Sequence, residues 1–507
     1  MTHSGHGAKR RADSARPPAR RSSRLAPGWP RRLSNPFTDG GALAVAATVL
    51  ASRVLYLLLT RFVLDDALIT ARYGRNLAHG LGLAFNAGEP SYGFTSPAWV
   101  ALSAVGTLLH ADPHAWLGGL AIACDAATAY IAALLVVSLW GRVALAALLA
   151  AWPVLVTSSV GGMETSLLGL CAVAWWGRVR PTEAAALAPL VRPEGWLLVL
   201  AHLLRERRAS ALVAVVPGLL WHGAAWAMFG SPLPLSAEAK RIVYGGSRWD
   251  RTVSWIYHLG QLPVHEARPW KSAMVVASAS LWLTALACTR GGRSWGLGLA
   301  LGWIACLILA GAPVFDWYLA LPYLLIIVSA CRSEVLGRWR VGAAFLVLNA
   351  VFLFVWVAQD GIDQRRLLDR TWRDAAGYVA KFPGAKSVFA EAVGVLGWEF
   401  RGAVYDEIGI VTPRLSAFRQ TSDGWYYRAV AGLRPDALIV RPRSVYRNTP
   451  AAGVANPFLD ASQFQEIGRE YAEMADFRDT TQYAAPGGAW VRVLVRRDLA
   501  GAQGATP

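Results

Sequence analysis

Nine apolar runs recur along the chain, at residues 41–60, 115–139, 142–158, 164–177, 209–229, 272–289, 294–311, 316–331 and 341–358. Crossing ~30 Å of hydrocarbon takes about 20 helical residues, and within lipid a backbone must satisfy its own hydrogen bonds. Only 16% of the 507 residues are charged, against about 25% in a soluble domain. The sequence therefore specifies a polytopic α-helical membrane protein.

The net charge of +17 does not point to nucleic acid, because no DNA- or RNA-binding signature accompanies it. Nine basic residues lie in the first 39 positions and most others in short gaps between apolar runs, the distribution produced by the excess of Lys and Arg on the cytoplasmic side. Residues 1–39, basic and rich in proline, read as a disordered cytoplasmic tail. The five cysteines sit in apolar runs without metal-ligand spacing, as small core residues do.

Two shorter regions, 97–109 and 182–205, decide the threading. Thirteen helical residues cover only ~20 Å, so 97–109 fits the outer interface, and 182–205 breaks at "RPEG" into a hairpin of two short helices. This arrangement keeps Arg142, Arg178, Arg180, Arg205, Arg207, Arg208, Arg290, Arg293, Arg332, Arg338 and Arg340 inside, and gives about 11 crossings in a multi-pass membrane protein with a cytoplasmic N-terminus. It gathers the loop 61–114, "SSVGGMET", "RPEG" and "FGSPLPLSAEAK" on the outer face. Residues 40–359 form the membrane domain in this reading, and 360–507 an extracytoplasmic α/β domain with strands expected at "SVFAEA", "GAVYDEIG", "DALIVR" and "AWVRVLVRR".

The chemistry concentrates in "RFVLDDALITARYG", Arg61 to Gly74. Asp65 and Asp66 stand where the chain leaves a membrane helix, open to water on one side and to lipid on the other. A carboxylate within reach of an acceptor hydroxyl can take its proton as attack begins. Two adjacent acids can also repel, raising one pKa, or share a divalent cation, and Asp65 also suits a helix N-cap. His79 and His202 lack partners at ligand spacing. Asp316, Trp317 and Tyr318 fit an interfacial aromatic belt, with sugar stacking as the alternative.

The segment "DDALITARYGRNLAHGLGLAFNAGEPSYGFTSPAW" resembles the first outer loop of the GT-C membrane glycosyltransferases, and most closely the branch holding the mycobacterial terminal β-1,2-arabinofuranosyltransferases. "SVGGMETSL", "RPEG", "GSPLPLSAEAK", "DWYLALPYLL", "GVLGWEFRGAVYDEIGIVTP" and "LRPDALIV" continue the likeness in order. Tyr92 replaces the family's Glu, and Leu235 and Ser236 replace Asn and Thr; these changes bear on the acceptor and the sugar rather than the reaction class.

The resemblance implies a GT-C fold and inverting transfer of a sugar, arabinofuranose or a hexose, from a polyprenyl phosphate to a cell-envelope glycan. Asp66 would be the general base and Asp65 its partner. Arg192 and Lys240 would hold the lipid phosphate, Glu164 would orient the acceptor or simply cap a helix, and Arg72, Tyr73, Asn86 and Glu194 would belong to the substrate pocket; for Lys240 the plain alternative is a charged loop residue. For Arg192 the plain alternative is an interfacial residue paired with Glu194. No cofactor is assigned, and a divalent cation shared by the paired acids stays an open alternative. The C-terminal domain is expected to bind acceptor glycan. The rival is a transporter or flippase of lipid-linked sugars, which would need ionisable groups in mid-membrane; Arg53 is its main candidate. An O-antigen-type ligase would carry its outer loop between late helices instead.

Overall fold

The computed structural model describes residues 39–243, 248–259, 295–332, 340–419, 423–441, 456–479 and 489–501; the N-terminal tail and the apolar run 272–289 lie outside them. Helices α1 (Gly40–Thr60) and α4 (Pro113–Leu134), and the segment Ala209–Phe229 that ends in α10 (Val216–Phe229), are long and apolar enough to cross a membrane. Asp39 and Asp112 cap α1 and α4 by accepting from Ala42 N–H and Ala115 N–H.

The run expected as one span at 142–158 is instead two helices, α5 (Leu139–Ala151) and α6 (Pro153–Val160), bent by 55°. The cause is Pro153, which has no N–H to offer the Leu149 carbonyl. Arg53 on α1 takes over: it donates to the Leu149 and Ala150 carbonyls at 2.9 and 3.1 Å and pairs with Asp125 of α4 at 2.9 Å. Burying a guanidinium, 1% exposed, is tolerable because each donor edge meets an acceptor. The cation on which a transporter reading relies, Arg53, is thus engaged in holding a broken helix.

Residues 182–205 break as expected. α8 (Pro181–Val191) stops at Arg192, which precedes Pro193 and is extended (φ −153°), since a residue before proline is pushed out of the helical region. One 3-10 turn, Pro193–Gly195, leads into α9 (Trp196–Glu206), and α9 packs against α8. The 97–109 region forms α3 (Pro97–Leu108), packed on α2 (Asp65–Ala78). The expected boundary at 359–360 falls inside a single helix, Arg340–Leu368.

Beyond that helix lies a five-stranded sheet of order β4-β3-β5-β7-β6. β3 (Ser387–Ala390), β4 (Ala403–Asp406) and β5 (Ala437–Val440) are parallel, and β6 (Tyr471–Asp479) and β7 (Ala489–Arg496) add an antiparallel hairpin beside β5. β1 (Ala84–Asn86) and β2 (Glu89–Pro90) form a separate small pair in the first loop. One apolar core joins Leu68, Ile69 and Phe85 of the α2 region to Val395, Leu396, Val404, Ile439 and Val493 of the sheet region. The sheet and α2 therefore share their interior.

Candidate functional site

Five segments of the sequence meet over an open cavity of about 410 Å³ lined by Asp66, Thr70, Phe94, Glu164, Arg192, Ser236, Lys240, Trp317 and Tyr318. α2 delivers Asp66 in its first turn, where the helix dipole favours a carboxylate. α11 (Leu235–Val243) delivers Lys240, whose ammonium lies 3.1 Å from Asp66 Oδ2 across 174 residues of sequence. The same ammonium faces the rings of Phe315 and Trp317 at 4.6 and 5.3 Å; these two rings stack on each other 4.7 Å apart. Burial disfavours the Lys240 ammonium, but the Asp66 carboxylate outweighs it, and the Lys240 pKa is raised.

Arg192 is 2% exposed and pairs with Glu194, as its plain reading had it, and with Glu164 as well. It donates to Glu164 at 2.7 Å and to both Glu194 oxygens at 3.2 and 3.3 Å, and its guanidinium packs 4.9 Å from the Tyr318 ring centre. One cation thus serves two carboxylates, so Arg192 lines the cavity already neutralised. Lys240 is the cation that a ligand's anionic group can recruit by replacing a single partner. Ser236 Oγ, buried, has no hydrogen-bond partner and belongs to a residue lining the same cavity.

Several expected pocket residues do not line it. Asp65 turns both carboxylate oxygens to the backbone N–H groups of Gly394 and Val395, at 3.0 and 2.7 Å. It caps a helix, as one reading of the sequence had it, but the helix is Val393–Glu399 rather than its own. Arg72 donates to the carbonyls of Phe85, Gly397 and Gly402 and to Asn86 Oδ1. Asn86 bonds both the N–H and the C=O of Val404. The Tyr73 hydroxyl meets Ser91 Oγ and accepts from Gly93 N–H. These three residues are buried fasteners that shape the loop, because α2 is enclosed on nearly every side. Gly93 lies so close to its surroundings that a Cβ would stand 2.5 Å from the Ile410 carbonyl oxygen, which brings the loop backbone to the cavity wall.

Tyr92 also lies off the cavity. It stacks on Phe229 at 5.2 Å and accepts from Trp221 Nε1–H at 2.8 Å, while its carbonyl accepts from Leu235 N–H at 2.7 Å. It ties the first loop to α10 and α11. Ser236 is a wall residue that the site reading did not include, and Trp317 and Tyr318, read mainly as an aromatic belt with sugar stacking as the alternative, line the wall as well. His79 and His202 are hydrogen-bonded, to the Arg75 carbonyl and to Trp175 and Thr182. Among the described residues no three His, Cys, Asp or Glu side chains gather as a metal ion would need.

A wider groove of about 1440 Å³ runs between α1, α5 and the 340–368 helix. Its lining is mostly alkyl, and its charged side chain, Arg142, is held by both oxygens of Asp39 at 2.7 and 2.9 Å. Asp66, Glu164, Arg192 and Lys240 gather instead around the smaller cavity.

No protein-family model and no curated protein matches the sequence. Among solved structures, the chain is similar to the arabinofuranosyltransferase AftD from mycobacteria, seen by single-particle cryo-EM, with 16% identity and a TM-score of 0.40. The match takes in 89% of this chain and 41% of that one. At this level the likeness carries no functional weight, and the cavity's own residues must supply the argument.

Desolvation pushes the Asp65 carboxyl up to about 6 from 3.8; the two amides oppose the rise, and the Asp66 and Glu391 charges add to it. A raised folded-state pKa favours the fold most below 3.8, and the benefit is lost as pH climbs through about 6. The thermal midpoint of the wild type relative to Asp65→Asn is therefore expected to decline between these two pH values. A difference that stays flat across the window would show that Asp65 does not titrate there.

Proposed function

We propose that the protein is a membrane glycosyltransferase that moves a sugar, arabinofuranose or a hexose, from polyprenyl phosphate to a cell-envelope glycan at the outer face. The observation that carries this reading is the Asp66–Lys240 pair at the cavity: a carboxylate able to take a proton beside a cation able to take a phosphate. In this mechanism the donor phosphate draws Lys240 away from Asp66. The freed carboxylate accepts the proton of an acceptor hydroxyl as that oxygen attacks the anomeric carbon from the face opposite the phosphate. The bond from that carbon to the phosphate oxygen breaks, its electron pair leaves with the phosphate, and Lys240 neutralises the new charge. The anomeric configuration inverts.

Glu164, held by Arg192, and the free Ser236 hydroxyl offer hydrogen-bond partners to the sugar or the acceptor, and Trp317 an aromatic face. The full chain in liposomes, given radiolabelled polyprenyl-phosphate sugars and a cell-envelope polysaccharide acceptor, should form a new glycosidic bond. Label that crosses the bilayer without being transferred would overturn the enzyme reading in favour of a flippase.

A further inference from the structure

In an open α/β sheet, anionic ligands gather at the carboxyl ends of the strands where the connections diverge, against the N-terminus of the following helix. Here that place follows β3, which lies between β4 and β5, and the helix is Val393–Glu399. Its Gly394 and Val395 N–H groups are already taken by Asp65. At the other end of the same helix, Arg72 and Arg75 collect the carbonyls: Arg72 reaches Gly397 at 2.8 Å, and Arg75 reaches Gly397 and Trp398 at 3.2 and 3.4 Å. α2 thus places an acid on the positive end and two guanidinium groups on the negative end of one helix.

The fit depends on close approach as well as charge. A Cβ at Gly394 would stand 1.8 Å from the Asp65 carbonyl oxygen, and one at Gly397 would stand 2.5 Å from the Phe85 ring. The crevice that a sheet of this kind offers to a ligand is filled by the helix that carries Asp66.

The geometry points to Asp65 as a positioning residue, and to the 393–399 helix as a clamp that sets Asp66 against Lys240. Asp65 touches no reacting atom in this arrangement; it fixes the first turn of α2 to the sheet, and the next residue is thereby aimed. This inference rests on the proposed transferase reading, since only that reading makes the aim of Asp66 matter. A misplacement of the order of 1 Å can cost about 100-fold in rate.

The test uses the full chain in lipid nanodiscs, with Asp65→Asn and Gly394→Ala compared in two measurements. Gly394→Ala loosens the clamp from the opposite partner and removes no ionisable group. In hydrogen exchange, both variants should speed exchange at residues 65–69 and 393–397 and leave β6 unchanged. In the transfer assay, both should lower kcat by about 10- to 100-fold with the donor KM within about twofold of wild type. Faster exchange with unchanged kcat would overturn the positioning role. Lost activity in Asp65→Asn alone, with exchange unchanged, would show Asp65 acting directly and would also overturn it. If the wild type transfers no sugar, the transferase reading fails and the positioning role with it, while the exchange measurement still decides whether the clamp exists.

Discussion

Asp66→Asn is expected to lower sugar transfer by about 10²- to 10⁴-fold, the range for loss of a positioned general base, without unfolding the chain. The amide keeps the shape of the carboxylate and can accept from the Lys240 ammonium, but it cannot take a proton. Lys240→Met separates the two roles of the pair. If Lys240 only restrains Asp66, removing it frees the base and activity holds or rises. If Lys240 neutralises the leaving phosphate, activity falls by about 10²- to 10³-fold, and the double variant is little worse than either single one. Purified variants assayed at saturating donor, with folding followed by fluorescence of the tryptophans, give both answers. An Asp66→Asn protein that turns over at the wild-type rate would remove Asp66 from the mechanism.

Arg192→Met should produce the largest loss of stability in the cavity region. Its side chain leaves Glu164 and Glu194 without a cation in a site where Arg192 is 2% and Glu164 4% exposed. Removing one member of a buried ion network costs about 3–5 kcal/mol, because the remaining charge cannot be solvated. Arg192→Lys should recover only part, since an ammonium lacks the planar fork that serves two carboxylates together. Adding Glu164→Gln to Arg192→Met should restore part of the loss, which a thermal melt in detergent resolves. An unchanged melting temperature in Arg192→Met would mean that the triad is solvated and open to a ligand after all.

Much of this architecture is legible in the sequence. The runs that become α1 and α4, the break at Arg192-Pro193, and four of the five strands of the sheet follow from hydropathy, proline chemistry and β-branched runs. The missed strand, β6, reads "YAEMADFRD" and is an edge. Its charges look like those of a loop until Arg492 of β7 is seen pairing with Glu473 and Asp476 across the hairpin.

The bend at Trp152–Pro153 was missed although Pro153 marks it in the sequence. The apolar composition is unbroken there, and the partner that makes the bend affordable, Arg53, is 97 residues away from the Ala150 carbonyl it serves.

By itself the sequence determined which residue types were present to do chemistry: Asp66, Glu164, Arg192 and Lys240, all in segments between or beside the apolar runs. Tertiary structure decided their allegiances. It gave Lys240 to Asp66, Arg192 to two glutamates, and Asp65, Arg72 and Asn86 to the backbone near the sheet. Helical period says which side chains share a face, but not what that face meets, and a charge acquires its role only from the partner that folding brings within about 3 Å.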